Sequence, residues 1–363
     1  MIRFAMGQMG RHSTTIVLRR FLQVGCLAAV CLSLSGCWGL GFSPDGKWLA
    51  FLMPTAKRSE DEGPNYQLAT VKLSEGKIRV VADSRGADTP VFSPDGKSLG
   101  YLDEGGRLMV LNVATGKRRK VIEQVGSFVW EPNGKRIVAL RSTPEAKNGE
   151  IDWIDVASGE VLWRQIPDLF RFAGPTSMAY LADRDAVVVS GTLDLLVVSR
   201  SSIKRLSANR TTLGFRVLPD GKGMVWATAS EDRLLNLHRY EFASGKQSEV
   251  AFPAKVRGMA DVEHVLGVEF NRDASQFVAS YRKPGKDRAY ASECVLVDVK
   301  SATAKTLVST QGWMANMPLW SPTGELGMWT FDTKPKQATG TLTVTVGKKT
   351  IFKGPFTTDR WPD

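Results

Sequence analysis

Phe42-Ser43-Pro44-Asp45-Gly46-Lys47-Trp48-Leu49-Ala50-Phe51 returns, nearly intact, as Phe92-Ser93-Pro94-Asp95-Gly96-Lys97-Ser98-Leu99-Gly100-Tyr101. In both stretches an aromatic residue ends one apolar run, and a second, alternating run begins just after the turn. Pro presets the backbone of the first central turn position and Asp suits the second. Gly takes the left-handed conformation that closes a hairpin. Pro44, Asp45 and Gly46, Pro94, Asp95 and Gly96, and a third set at Pro219, Asp220 and Gly221 therefore have a complete structural reason to be present. They are read as turn residues, and the three Asp as turn formers rather than catalytic carboxylates.

Weaker copies extend the pattern through Trp130-Glu131-Pro132-Asn133-Gly134, Phe270-Asn271-Arg272-Asp273 and Trp320-Ser321-Pro322-Thr323-Gly324, with a degenerate one at Tyr180-Leu181-Ala182-Asp183. The anchors fall near 42, 92, 130, 180, 217, 270 and 320. A period of about 47 residues is the size of a four-stranded propeller blade. A second half follows in most units: apolar runs at 108–113, 151–156 and 237–242 lead to Ala-Thr-Gly-Lys, Ala-Ser-Gly-Glu and Ala-Ser-Gly-Lys, and 295–299 and 342–346 fill the same slot. Each unit thus reads strand A, Ser-Pro-Asp-Gly turn, strand B, loop, strand C, Gly turn, strand D. The expected fold is all-β: one β-propeller of about seven four-stranded blades over 37–363, with six or eight also compatible. A closing strand shared between the two ends is not evident, and 352–363 is the segment that would supply one.

The first 36 residues read as an export signal. Arg11, His12, Arg19 and Arg20 make a positive start, and the apolar stretch 21–34 is too short to span a bilayer. It ends in Leu34-Ser35-Gly36-Cys37, which resembles a bacterial lipobox and implies lipid on Cys37 as the first mature residue. The protein is then expected in the bacterial envelope, anchored on the periplasmic side. Trp38, rather than Asp, follows the cysteine, which favours the outer membrane. Cys26 and Cys31 fall within the signal, so Cys294 would be the single remaining thiol, and its place before Val295-Leu296-Val297 reads as a buried strand.

Formal net charge is +11, and without the first 36 residues 44 basic residues face 37 acidic ones. That modest surplus suits an anionic surface such as lipid head groups. With no nucleic-acid-reading motif and no dense basic helix, nucleic acid is not an expected partner.

The Phe/Trp-Ser-Pro-Asp-Gly-Lys repeats resemble those of the TolB-type, WD40-like (PD40) propeller families, over about nine-tenths of the chain. The resemblance implies the fold and, by analogy, protein partners in envelope integrity or transport. Such propellers serve many roles.

Site motifs are sparse. His238 in a strand C pattern and His264 in a D-to-A connection are the only mature histidines. There is no G-x-S-x-G elbow, H-E-x-x-H or paired-Cys motif, so neither a peptidase nor a metal nor a cofactor is indicated. Two classes stay open: a non-enzymatic binding scaffold, and a glycan- or lactone-processing enzyme using carboxylates at the central channel. The B–C loops of the first, third, sixth and seventh units read as long, at 53–67, 141–149, 281–292 and 331–340, and long loops on a rigid scaffold concentrate binding. Those of units six, seven and one carry Arg282, Lys283, Lys286, Arg288, Lys334, Lys336, Lys57 and Arg58. They are the candidate contacts for a membrane or an acidic partner.

Overall fold

A computed structural model describes residues 40–54, 66–84, 88–103, 105–143, 149–167, 177–191, 194–208, 211–229, 235–250, 264–284, 290–301, 303–311, 317–333 and 339–357. They form seven four-stranded antiparallel sheets, each taken in sequence order, which are the blades of a β-propeller. Blade one holds β1 (Leu40–Phe42), β2 (Trp48–Pro54), β3 (Tyr66–Lys72) and β4 (Ile78–Ser84). Blade two holds β5 (Asp88–Phe92), β6 (Ser98–Leu102), β7 (Leu108–Asn112) and β8 (Arg118–Ile122). Blade three holds β9 (Val125–Trp130), β10 (Arg136–Arg141), β11 (Glu150–Asp155) and β12 (Val161–Gln165). Blade four holds β13 (Ser177–Leu181), β14 (Ala186–Ser190), β15 (Asp194–Ser199) and β16 (Ile203–Ala208). Blade five holds β17 (Thr212–Val217), β18 (Gly223–Ala229), β19 (Leu235–Glu241) and β20 (Gln247–Val250). Blade six holds β21 (His264–Phe270), β22 (Gln276–Pro284), β23 (Tyr290–Asp298) and β24 (Thr303–Gln311). Blade seven holds β25 (Met317–Trp320), β26 (Leu326–Thr333), β27 (Thr339–Val346) and β28 (Lys349–Thr357).

The repeated motif does in space what its chemistry requires. Gly46 and Gly96 both have φ of 70°, and each donates its N–H to the carbonyl of the motif Ser, at 2.8 Å. Where Gly is replaced, Asp185 (φ 45°) and Ala274 (φ 56°) take the same left-handed geometry. The Ser has its own part. Ser43 Oγ donates to Asp45 Oδ1 at 2.7 Å and accepts the N–H of Trp48 at 2.9 Å, and Ser93 repeats this with Asp95 and Ser98. These short bonds hold the Asp45 and Asp95 carboxyls below the usual carboxylate range, led by the Ser hydroxyls. A backbone bond ties the A–B turn to the C–D turn of the same blade, as in Leu73 N–H to Lys47 O and Val113 N–H to Lys97 O, both at 2.9 Å. Both turns therefore lie on one face of the ring, and the B–C loops and D–A connections lie on the other.

Successive inner strands run close together around the axis. A Cβ on Gly41 would sit 2.0 Å from the Pro90 carbonyl oxygen, and one on Gly214 1.9 Å from that of Val268, so only glycine fits at either place. Between blades the core is a series of apolar clusters, such as Val138, Leu140, Ile151 and Trp153 of blade three against Val187, Val189, Leu196 and Val198 of blade four.

Among the described residues no strand is exchanged to close the ring. β28 pairs with β27 of its own blade, so 352–357 completes blade seven and is not a shared closing strand. Blades seven and one join through side chains. Trp329 Nε1 donates to the Leu52 carbonyl at 3.3 Å, and Phe352 and Phe51 pack with ring centroids 5.9 Å apart. Lys349 Nζ donates to the Leu73 carbonyl at 2.9 Å.

Six of the seven outer strands carry a one-residue bulge, at Val81, Val121, Leu162, Leu206, Leu307 and Ile351. A bulge adds twist and bends the strand edge, and here it occurs where each blade must splay outward.

Candidate binding surfaces

Strand and loop boundaries correct the expected basic loop cluster. β22 runs to Pro284 and β23 begins at Tyr290, so the expected loop 281–292 shrinks to 285–289. Arg282 is not a loop residue. It sits in β22 opposite Ser292 and is 3% exposed, so it cannot meet a membrane surface. Lys283 is also on β22, but its side chain lies outside the described residues. Lys57, Arg58, Lys286, Arg288, Lys334 and Lys336 lie outside them as well, as does Cys37. The seventh-unit loop likewise narrows from 331–340 to 334–338, and the first from 53–67 to 55–65.

The turn residues Pro44, Asp45, Gly46, Pro94, Asp95, Gly96, Pro219, Asp220 and Gly221 all fall in the A–B turns of blades one, two and five. His238 is in β19, strand C of blade five, where its Nε2 lies 2.9 Å from Thr228 Oγ1 and its ring stacks on Trp226. His264 is the first residue of inner strand β21 rather than part of a connection. Cys294 is fully buried on β23, 3.2 Å from Ser280 Oγ. Burial pushes its thiol up to about 12, so it carries no thiolate at neutral pH.

Three polar arrangements and one shallow depression were not anticipated. At the loop-face end of blade three, Asp152 is fully buried between two arginines. Arg164 grips it with Nε at 2.8 Å and Nη2 at 3.0 Å, and Arg141 Nη1 approaches at 2.8 Å. Glu150, also buried, meets Arg141 at 3.1 Å and Arg164 at 3.2 Å. Burial, then the Asp152 charge, raises the Glu150 carboxyl above its ordinary value. In blade six, Tyr281 donates to Glu293 Oε2 at 2.7 Å and Ser309 to Glu293 Oε1 at 3.2 Å. Between blades two and three a shallow open depression is lined by Gly105, Arg107, Glu123 and Gln124.

The third arrangement is on the inner strands. Glu269 of β21 is half-buried, and burial pushes its carboxyl up to about 7, with Arg216 of neighbouring β17 pulling the other way. The sign follows from linkage. The folded state holds this proton more tightly than the unfolded chain, so the stabilisation is complete below about pH 4 and is lost as pH rises through about 7. Remaining contact with water reduces the full difference to about 1–2 kcal/mol. Glu269→Gln is expected to match the wild type in urea unfolding at pH 4 and to exceed it by that amount at pH 8. Equal slopes with pH for the two proteins would show that Glu269 ionises normally.

Among the described residues no three His, Cys, Asp or Glu side chains gather as a metal site would require. No known protein-family profile and no curated protein sequence matches the chain. Solved structures do. An oligogalacturonate lyase from Vibrio parahaemolyticus is 15% identical, with a TM-score of 0.57 over 81% of this chain and 85% of that one. A Kuenenia stuttgartiensis hydrazine synthase chain is also 15% identical, at 0.56 over 82% and 93%. A Pyrococcus horikoshii acylaminoacyl peptidase is 12% identical, at 0.58, and this chain covers 88% of itself but 53% of that one. The names span unrelated chemistries, and what the likenesses establish for this chain is the propeller fold.

Proposed function

We propose that this protein is a lipid-anchored binding scaffold of the bacterial envelope. One observation carries the reading: only two residues separate Cys37 of the lipobox-like Leu34-Ser35-Gly36-Cys37 from Leu40, where β1 begins. β1 runs from the loop face into the Ser43–Gly46 turn on the opposite face. A lipid on Cys37 would therefore hold the loop face of blade one within a few residues of the bilayer. A single acyl group gives marginal binding and stable anchoring takes more than one, which a diacylated cysteine provides. The remaining basic loop residues of units six, seven and one would then face anionic head groups, where each adds on the order of 1 kcal/mol.

A second reading, an enzyme with carboxylates at the channel, has one observation in its favour: the raised Glu269 carboxyl on an inner strand beside Arg216. No partner acid or nucleophile is paired with it among the described residues, and the scaffold reading is preferred.

Intact mass of the membrane-fraction protein, wild type beside Cys37→Ser, tests the proposal. A mature mass beginning at Cys37 plus lipid, lost in the variant, is the expected result. An unlipidated protein cleaved elsewhere would overturn it.

A further inference from the structure

Among the described outer strands, the edge of blade three gathers the most exposed apolar residues, while β4 and β16 show one each, Val80 and Ile203. Sheet edges invite pairing with another chain, and proteins usually guard them with charge or proline. β8 presents Arg118-Arg119-Lys120, β28 carries lysines, and β20 has Glu249, whereas β12 begins Val161-Leu162-Trp163. Leu162 and Trp163 are each 44% exposed, and Ile166 just beyond is 53% exposed.

The bulge residue sharpens the contrast. Val121 and Leu206 are buried in core clusters, and Val81, Leu307 and Ile351 are partly buried against other core clusters. Leu162, at the same structural position, is the one that faces solvent.

The register shows where Trp163 points. It pairs with Trp153, on the face of blade three that packs against blade four. Ile203 of β16 pairs with Val198, on the facing side of blade four. Trp163 and Ile203, the latter 39% exposed, thus border one groove at the rim, which Gln165 bridges by donating to the Arg200 carbonyl at 2.5 Å.

The surroundings select the partner's charge. β8, β12 and β16, three neighbouring outer strands, carry six basic residues and no acidic one. Lys120 meets Glu123, Arg164 meets Asp152 and Glu150, and Arg205 meets Asp194, so the positive excess comes from Arg118 and Arg119 of β8 and Lys204 of β16.

We propose that the outer edge of blade three is a docking edge for an extended, acidic segment of a partner protein, which adds a strand to β12 and sets an apolar side chain between Trp163 and Ile203. Main-chain pairing would give affinity, and the groove and the basic rim would give choice of partner. The proposal rests on the scaffold reading and deepens it by naming the partner's chemistry, yet it uses a surface distinct from the loop face and so does not depend on the lipid.

The test is fluorescence anisotropy with a labelled peptide alternating Val or Leu with Asp or Glu, beside the same peptide with Lys for the acids and one with a central Pro. The purified full chain is expected to bind the acidic peptide, in a salt-sensitive way, and neither control. Trp163→Ala and Leu162→Lys, both at exposed positions, should each weaken binding about tenfold or more without lowering the melting temperature. No binding of the acidic peptide, or binding unchanged in both variants, overturns the proposal while leaving Cys37 lipidation standing. Trp163-dependent binding to phosphatidylglycerol vesicles without peptide binding, or a Trp163-dependent dimer in sedimentation, would assign the edge to lipid or to a second copy and overturn it equally.

Discussion

Trp329→Ala is expected to destabilise the protein by about 3–5 kcal/mol and, beyond that, to open the ring between blades seven and one. Trp329 is fully buried on β26, in a cluster with Leu342 and Val344 of its own blade and Phe51 and Leu52 of blade one. Truncation leaves a cavity the size of an indole and strands the Leu52 carbonyl that Nε1 now satisfies, about 1 kcal/mol more. Trp226, fully buried between blades four and five, is the proper control, since its loss should cost a similar amount of stability. The difference lies in connectivity. Blades four and five are joined by the chain, whereas among the described residues blades seven and one meet through side chains such as Trp329, Phe352 and Lys349. In a repeat architecture stability is approximately a sum of unit and nearest-neighbour terms, so weakening the one unlinked interface should free both of its edges. Native-state hydrogen exchange checks this. Amides of blades one and seven should lose protection selectively in Trp329→Ala and not in Trp226→Ala. Uniform loss in both variants would mean that the remaining contacts suffice to hold the ring shut.

That seam illustrates what a sequence of this kind does and does not disclose. The turns are local chemistry, so Pro44-Asp45-Gly46 and its copies mark every A–B hairpin, and the spacing of the inner strands yields seven blades. Cys294 is legible as a buried strand residue because apolar residues surround it in sequence. Arg282 is not, because two residues of a strand edge and two of a loop look alike: Arg282-Lys283 precede Pro284-Gly285, and only pairing with Ala291 and Ser292 makes them strand. The bulges of the outer strands have no common sequence mark, since Leu162 lies in the apolar run Val161-Leu162-Trp163 while Leu206 and Leu307 follow Arg205 and Thr306. Closure by Trp329 depends on residue 52, 277 positions away, and no local pattern encodes that contact.

Asp152→Ala should be among the most damaging single substitutions, at about 3–5 kcal/mol, the usual cost of removing one partner from a buried ion pair. The charge network around it is likewise built by register. Ala139, Asp152 and Arg164 face one another across β10, β11 and β12, and Arg141 pairs with Glu150 two residues further along. With Asp152 gone, Arg141, itself 12% exposed, and Arg164 are left to share Glu150. One carboxylate then offsets two guanidiniums in a place where water compensates poorly. Asp152→Asn keeps the shape and removes only the charge, so it separates the two contributions. Most of the loss should persist in it, and the Glu150 carboxyl should fall, because the repulsion from Asp152 is removed while both arginines remain. Asp155, three residues on at the end of β11 and only half-buried, gives the contrast: Asp155→Ala removes its local bonds to Ser158 and should cost about 1 kcal/mol or less. Urea unfolding of the three variants measures the differences. Replacing Arg141, Glu150, Asp152 and Arg164 together by apolar residues of similar volume should recover much of the stability lost in Asp152→Ala, because the desolvation cost of all four charges disappears with them. Should the quadruple variant be worse than Asp152→Ala, the network would be contributing net attraction rather than serving to hold β12 in place.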